Sequence, residues 1–199
     1  CHTKLNFNIL MMKTLSTEAF EKEWNTFKGY MTKIGLGGIC EEDLKQELLT
    51  ASCALNEDTG CAYRGALIHH ANLTTAIALR IAKMVSASLP VDEASLIKVC
   101  CLQHLSKIEM FEPNDNQWEI EKRGMAYKFT KLEGRLKFGE RSILRAMNMG
   151  IRFSPAEWEA MRSLDNTDDD KAARFVDNPL AMIVRMANEL AYQIEKTKA

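Results

Sequence analysis

The stretch Cys100-Cys101-Leu102-Gln103-His104-Leu105-Ser106-Lys107 closes an apolar helix with an amide, an imidazole and a cation, and its surroundings decide the fold. Upstream, Pro90 breaks the preceding pattern and Asp92 is an N-cap. From Glu93 to about Lys107 the chain is largely apolar through Leu96, Ile97, Val99 and Leu102, as expected of a central, buried helix. One helical hairpin earlier, Gly65-Ala66-Leu67-Ile68-His69-His70 leads into a helix expected over about Leu67 to Ala87. Its inward side carries His70, Leu73, Thr74, Ile77, Ile81, Met84 and Val85, so His70 faces the interior.

The same periodicity organises the rest of the chain. Phe20, Trp24, Phe27, Met31 and Ile34 share one helical face, which the glycines from Gly35 to Gly38 end. Leu44, Leu48 and Leu49 continue on a second helix from about Glu41. Residues 108–136 contain Pro113 and Gly124, lack a helical period, and alternate Met125, Tyr127 and Phe129 with polar residues. They read as a loop with a short β-ribbon near 118–130. A helix follows over about Gly139 to Met149. Ser154-Pro155-Ala156-Glu157 is a capping box with Pro at the first helical position, and Asn178-Pro179 opens a last helix whose expected buried stripe is Leu180, Ile183, Val184, Ala187, Leu190 and Ile194. The expectation is an all-α single domain of about seven helices over 13–199 behind an N-terminal tail, 1–12; Met11-Met12-Lys13 resembles a start.

Bulk composition narrows the functions. A chain of 199 residues with 46% hydrophobic residues is long enough for one ordinary core. With 26 basic and 27 acidic residues the net charge is -1, so no overall field draws in nucleic acid or an anionic membrane. No apolar run approaches the roughly eighteen residues of a membrane span. The cysteines at 1, 40, 53, 61, 100 and 101 lack metal-finger spacing and read as reduced thiols of a cytoplasmic protein, with Cys100 and Cys101 as small buried hydrophobes. Gly35-Leu36-Gly37-Gly38 follows a helix rather than a strand and is no nucleotide fingerprint. The acidic run Asp165 to Asp170 is no EF-hand, because its sixth and twelfth positions are Asp170 and Val176; it reads as a solvated loop.

Two segments together resemble the HD-domain metal phosphohydrolases, most strongly over 61–195. Gly65 to His70 is similar to the family's Gly-Gly-apolar-apolar-x-His motif, with His70 at the ligand position and His69 before it. In the family's His-Asp segment this chain has Gln103 and His104, with Lys107 where the motif Lys falls. Phe138-Gly139-Glu140-Arg141-Ser142 resembles a His-Gly-Glu-(Lys/Arg)-Ser segment with Phe138 in place of its His. Ala160-Met161-Arg162-Ser163-Leu164 resembles a later helix with Leu164 in place of another, and Met186-Ala187-Asn188-Glu189-Leu190 puts Asn188 where the last ligand Asp belongs.

The resemblance thus implies the family's helical frame with one ligand, His70, retained among six positions. An amide is a poor donor to a hard dication, and imidazole in place of carboxylate removes the charge that would bridge two metals. A catalytically inactive member without a metal is expected, in which Gln103, His104, Lys107 and Asn188 hold a small polar or phosphorylated ligand, Lys107 as the anion's partner. One alternative is a metal-dependent phosphohydrolase with a divalent ion in a rebuilt site of His70, His104 and His69. Another is an interaction protein meeting a protein partner through 108–136 or 165–170.

Overall fold

The computed structural model describes residues 14–165 and 178–198. Helix α1 (Thr17–Lys33) is capped by the Ser16 hydroxyl, which accepts from the Ala19 N–H at 3.2 Å, and buries Phe20, Trp24, Phe27 and Met31. Helix α2 (Glu42–Thr50) buries Leu44 and Leu48. Helix α3 (Ala66–Val85) is flanked by α4 (Glu93–Leu102), by α1, and by the last helix, α9 (Pro179–Lys196). Between α4 and α9 come α5 (Lys107–Met110), β1 (Phe111–Pro113), α6 (Gln117–Arg123), β2 (Tyr127–Phe129), α7 (Phe138–Asn148) and α8 (Pro155–Arg162). The buried apolar side chains form one main cluster, to which α1–α4 and α7–α9 contribute. The architecture is all-α with one short antiparallel ribbon, β1 against β2. Among the described residues no helix is long and apolar enough to cross a membrane.

Several local expectations change. The buried helix does not run to Lys107: α4 stops at Leu102 and residues 103–106 form a turn. The Ser106 N–H, which a continuing helix would give to Leu102, goes to the Ser142 hydroxyl of α7 at 3.0 Å. Within 108–136 the sequence between the two strands forms α6, capped by Asn116 and ended by Gly124 in the left-handed region; one strand of the expected ribbon, β2, falls within 118–130, while its partner β1 precedes it and pairs Phe111 with Phe129. On α3 burial concentrates between Ala66 and Ala78, and Met84 is 84% exposed. On α9, Leu190 and Ile194 are exposed while Ala191 and Glu195 are buried, because the inward face of that end meets polar partners.

The helix starts follow the capping chemistry of the sequence. Ser154 and Glu157 close a reciprocal capping box, the Ser154 N–H donating to Glu157 Oε2 at 2.7 Å. Asn178 accepts from the Ala181 N–H and Asp92 from the Ser95 N–H, each at 2.8 Å. Asp165 is part of no solvated loop: its carboxylate accepts the Gly139 N–H at the start of α7, at 2.8–2.9 Å. Segment 166–170 and the side chain of Leu164 lie outside the described residues.

Candidate functional site

Two residues fix the backbone beneath the site. Ser142 accepts from the Ser106 N–H and donates to the Ser106 hydroxyl, both at 3.0 Å, pinning the turn that carries Gln103 and His104. Gly139 lets α7 approach α8, since a Cβ there would meet the Met161 carbonyl oxygen at 2.4 Å. The segment Phe138-Gly139-Glu140-Arg141-Ser142 therefore has a packing role whatever its first residue does.

On the far side, α9 presents Asn188, Tyr192 and Glu195 toward α3 and that turn. His70 is fully buried; its Nδ1 bonds Glu195 Oε2 at 2.8 Å and its Nε2 bonds Asn188 Oδ1 at 3.0 Å. The same Oδ1 takes the Nε2 of His104 at 2.8 Å. One amide oxygen thus joins the two imidazoles, whose ring centroids are 5.2 Å apart, and the Tyr192 ring packs against His70 at 4.2 Å, tilted by 36°. Burial opposes charge on His70, but the Cys53 sulfur and the Glu195 carboxylate outweigh it and raise its pKa. His104 goes the other way, held well below its usual value by burial and by the nearby Lys107 and His70 charges. Both His70 nitrogens face acceptor oxygens, a pattern that the protonated ring satisfies with its two N–H donors, and neutral His104 donates its Nε2–H to the second lone pair of Asn188 Oδ1.

Beside this cluster opens a cavity of about 370 Å³, walled by Gln103, His104, Lys107, Phe138, Asn188 and Tyr192 together with Cys53 and Phe111. Lys107, 7% exposed, donates to the Cys53 carbonyl at 2.7 Å and to the Tyr192 hydroxyl at 2.6 Å, and no carboxylate lies within ion-pair distance of it among the described residues. Gln103 is 1% exposed, and among the described residues neither of its amide atoms has a hydrogen-bond partner. Phe138 meets Phe111 and Phe129 at centroid distances of 6.0 and 6.1 Å, so the β-ribbon supplies an aromatic flank.

The structure thus brings together His70, Gln103, His104, Lys107, Phe138 and Asn188. His69 goes elsewhere, its Nδ1 bonded to Glu23 of α1 at 2.8 Å. Among the described residues no group of three or more His, Cys, Asp or Glu side chains is placed to hold a metal ion. The donors that face one another are His70, His104 and the amide oxygen of Asn188, a set without an anionic ligand.

Sequence reasoning missed Glu195, Tyr192 and Cys53. The first two had a signal: they lie seven and four residues after Asn188, on one helical face. Cys53 had none, because it reaches Lys107 from an irregular segment 54 positions away in sequence.

No protein-family model, curated protein or solved structure matches this chain.

Proposed function

We propose that this chain is a binding protein, a degenerate HD-type frame without hydrolytic activity that takes a small phosphorylated ligand into the cavity beside Lys107. One observation carries the reading: among the described residues, a buried ammonium on a cavity wall meets a carbonyl, a hydroxyl and, at 3.6 Å, the Cys53 sulfur, but no carboxylate. Burying a cation with no carboxylate beside it is expensive, and an oxyanion entering the cavity supplies that contact. His104, Asn188 and the Gln103 amide add polar groups to the same wall, while Phe111 and Phe138 make its other side apolar. The free thiols go with a reducing, cytoplasmic setting.

The test is a thermal-shift and calorimetric screen with inorganic phosphate and with nucleoside mono-, di- and triphosphates. Saturable binding that disappears in Lys107→Met is the expected result; no saturable binding of any of these anions sinks the reading.

The enzyme reading keeps one observation in its favour. Glu195 on Nδ1 of His70, with Nε2 turned toward His104, is the orientation that a carboxylate gives a metal-ligating imidazole. His70, His104 and Asn188 would then hold the ion, which would supply activated water. Elemental analysis after incubation with manganese, iron, zinc or magnesium separates the two: stoichiometric metal that is lost in His70→Ala would favour hydrolysis.

A further inference from the structure

Cys53 and Cys61 face each other across an irregular hairpin. The Cys53 N–H donates to the Cys61 carbonyl at 3.1 Å, and Gly60, in the left-handed region at φ 75°, turns the chain between them. That bond makes the two residues neighbours, and their side chains hydrogen-bond each other, so the two sulfurs lie side by side. The Cys53 sulfur also touches the cavity cluster, 3.5 Å from the Tyr192 hydroxyl and 3.6 Å from the Lys107 ammonium, and Cys53 lines the cavity wall. Cys100 and Cys101 share the main apolar cluster with this pair, but among the described residues neither has a cation beside its sulfur.

We propose that Cys53 and Cys61 are a peroxide-oxidised pair, in which Cys53 is the attacking thiolate and Cys61 the resolving thiol. The Lys107 ammonium, 3.6 Å away at the cavity wall, stabilises the anionic sulfur. Burial opposes the Cys53 thiolate, but the Cys61 hydrogen bond, His70 and Lys107 bring its pKa well below the usual thiol value. The Cys61 thiol is pushed up by its bond to Cys53 and by burial, so it keeps its proton until the second step. The thiolate takes one oxygen from a hydroperoxide, breaking the O–O bond and releasing hydroxide, or alkoxide from an organic peroxide, which picks up a proton. Cys61 then attacks the sulfenic sulfur, the S–S bond forms, and water leaves with the Cys61 proton. Overall the two thiols give up two protons and two electrons, and hydrogen peroxide becomes two waters. The disulfide draws the Cys53 sulfur toward Cys61 and away from Lys107, coupling oxidation to the anion end of the cavity.

The test is treatment of the native full chain with hydrogen peroxide, followed by alkylation of free thiols and peptide mapping. The expected product is a Cys53–Cys61 cross-linked peptide, lighter by two hydrogens and reversed by dithiothreitol. In Cys61→Ser the reaction stops at a Cys53 sulfenic acid that dimedone traps, and Lys107→Met slows it about tenfold, the change in thiolate for one unit of thiol pKa. The wild-type mapping needs no variant, so it decides even where a substitution disturbs folding. Free, alkylatable Cys53 and Cys61 after peroxide, oxidation confined to half-buried Cys40, or Cys53 sulfinic acid beside an unreacted Cys61 would each overturn the proposal. None of these outcomes depends on whether the cavity takes a phosphorylated ligand.

Discussion

His70 on α3 and Glu195 on α9 form a sealed pair, Nδ1 to Oε2 at 2.8 Å, with essentially no solvent contact for either side chain. Removing one member leaves the other buried without its partner, which costs about 3–5 kcal/mol. His70→Ala and Glu195→Ala should each lower the urea stability by that amount, and the double variant should lose much less than their sum. Additive losses would mean that the two groups act independently.

The paired imidazole also sets a pH dependence. Its folded pKa lies above the unfolded value near 6.5, so its stabilisation is fully present below that value and fades as pH rises through the raised pKa. His104 has the opposite sign: its folded pKa is depressed, so stability is retained above about 6.5 and lost as pH falls below it. His104→Gln should therefore flatten the loss of stability between pH 7 and pH 5, and His70→Gln the loss on the alkaline side. Chemical denaturation from pH 5 to the alkaline side of neutrality reads both; an unchanged acid limb in His104→Gln contradicts the buried neutral ring.

Much of this architecture is legible in the residues. The stripe Phe20–Trp24–Phe27–Met31, the Ser154–Glu157 capping box and the Asn178 cap are local signals, and local hydrogen bonds and apolar faces decide them. Legibility fails where a distant partner overrides the local pattern. Ser142 captures the Ser106 N–H and ends α4 a full turn early, from 36 positions away. Leu190 and Ile194 look like core by spacing, yet α9 turns Asn188, Tyr192 and Glu195 inward, because the interior there holds two imidazoles and a lysine. A hydrophobic pattern cannot register a core that is polar.

Two glycines should respond in opposite directions. At Gly60 a Cβ would stand 2.1 Å from the Glu195 carbonyl oxygen, and the residue has positive φ, so Gly60→Ala should cost about 1–3 kcal/mol or more. Gly29 lies inside α1 with nothing within 4 Å of an added Cβ, so Gly29→Ala should stabilise by about 0.5–1 kcal/mol. Urea midpoints of the two variants check both signs, and a tolerated Gly60→Ala would mean that the loop does not press on α9 as described.

Gln103 separates stability from binding. Its carbonyl and amine are both buried with no partner, a loss of solvation that folding leaves uncompensated at about 1–3 kcal/mol per group. Gln103→Leu keeps much of the volume and removes both groups, so it should raise the melting temperature of the free protein. If the amide serves a ligand in the cavity, the same change should weaken the anion's binding, so that the ligand's own thermal shift shrinks while the starting temperature rises. A stability gain with undiminished binding would make Gln103 a bystander on the wall and leave Lys107 to hold the ligand. A variant less stable than the parent would mean that the amide has partners in solution, and the argument from its orphaned atoms would fail.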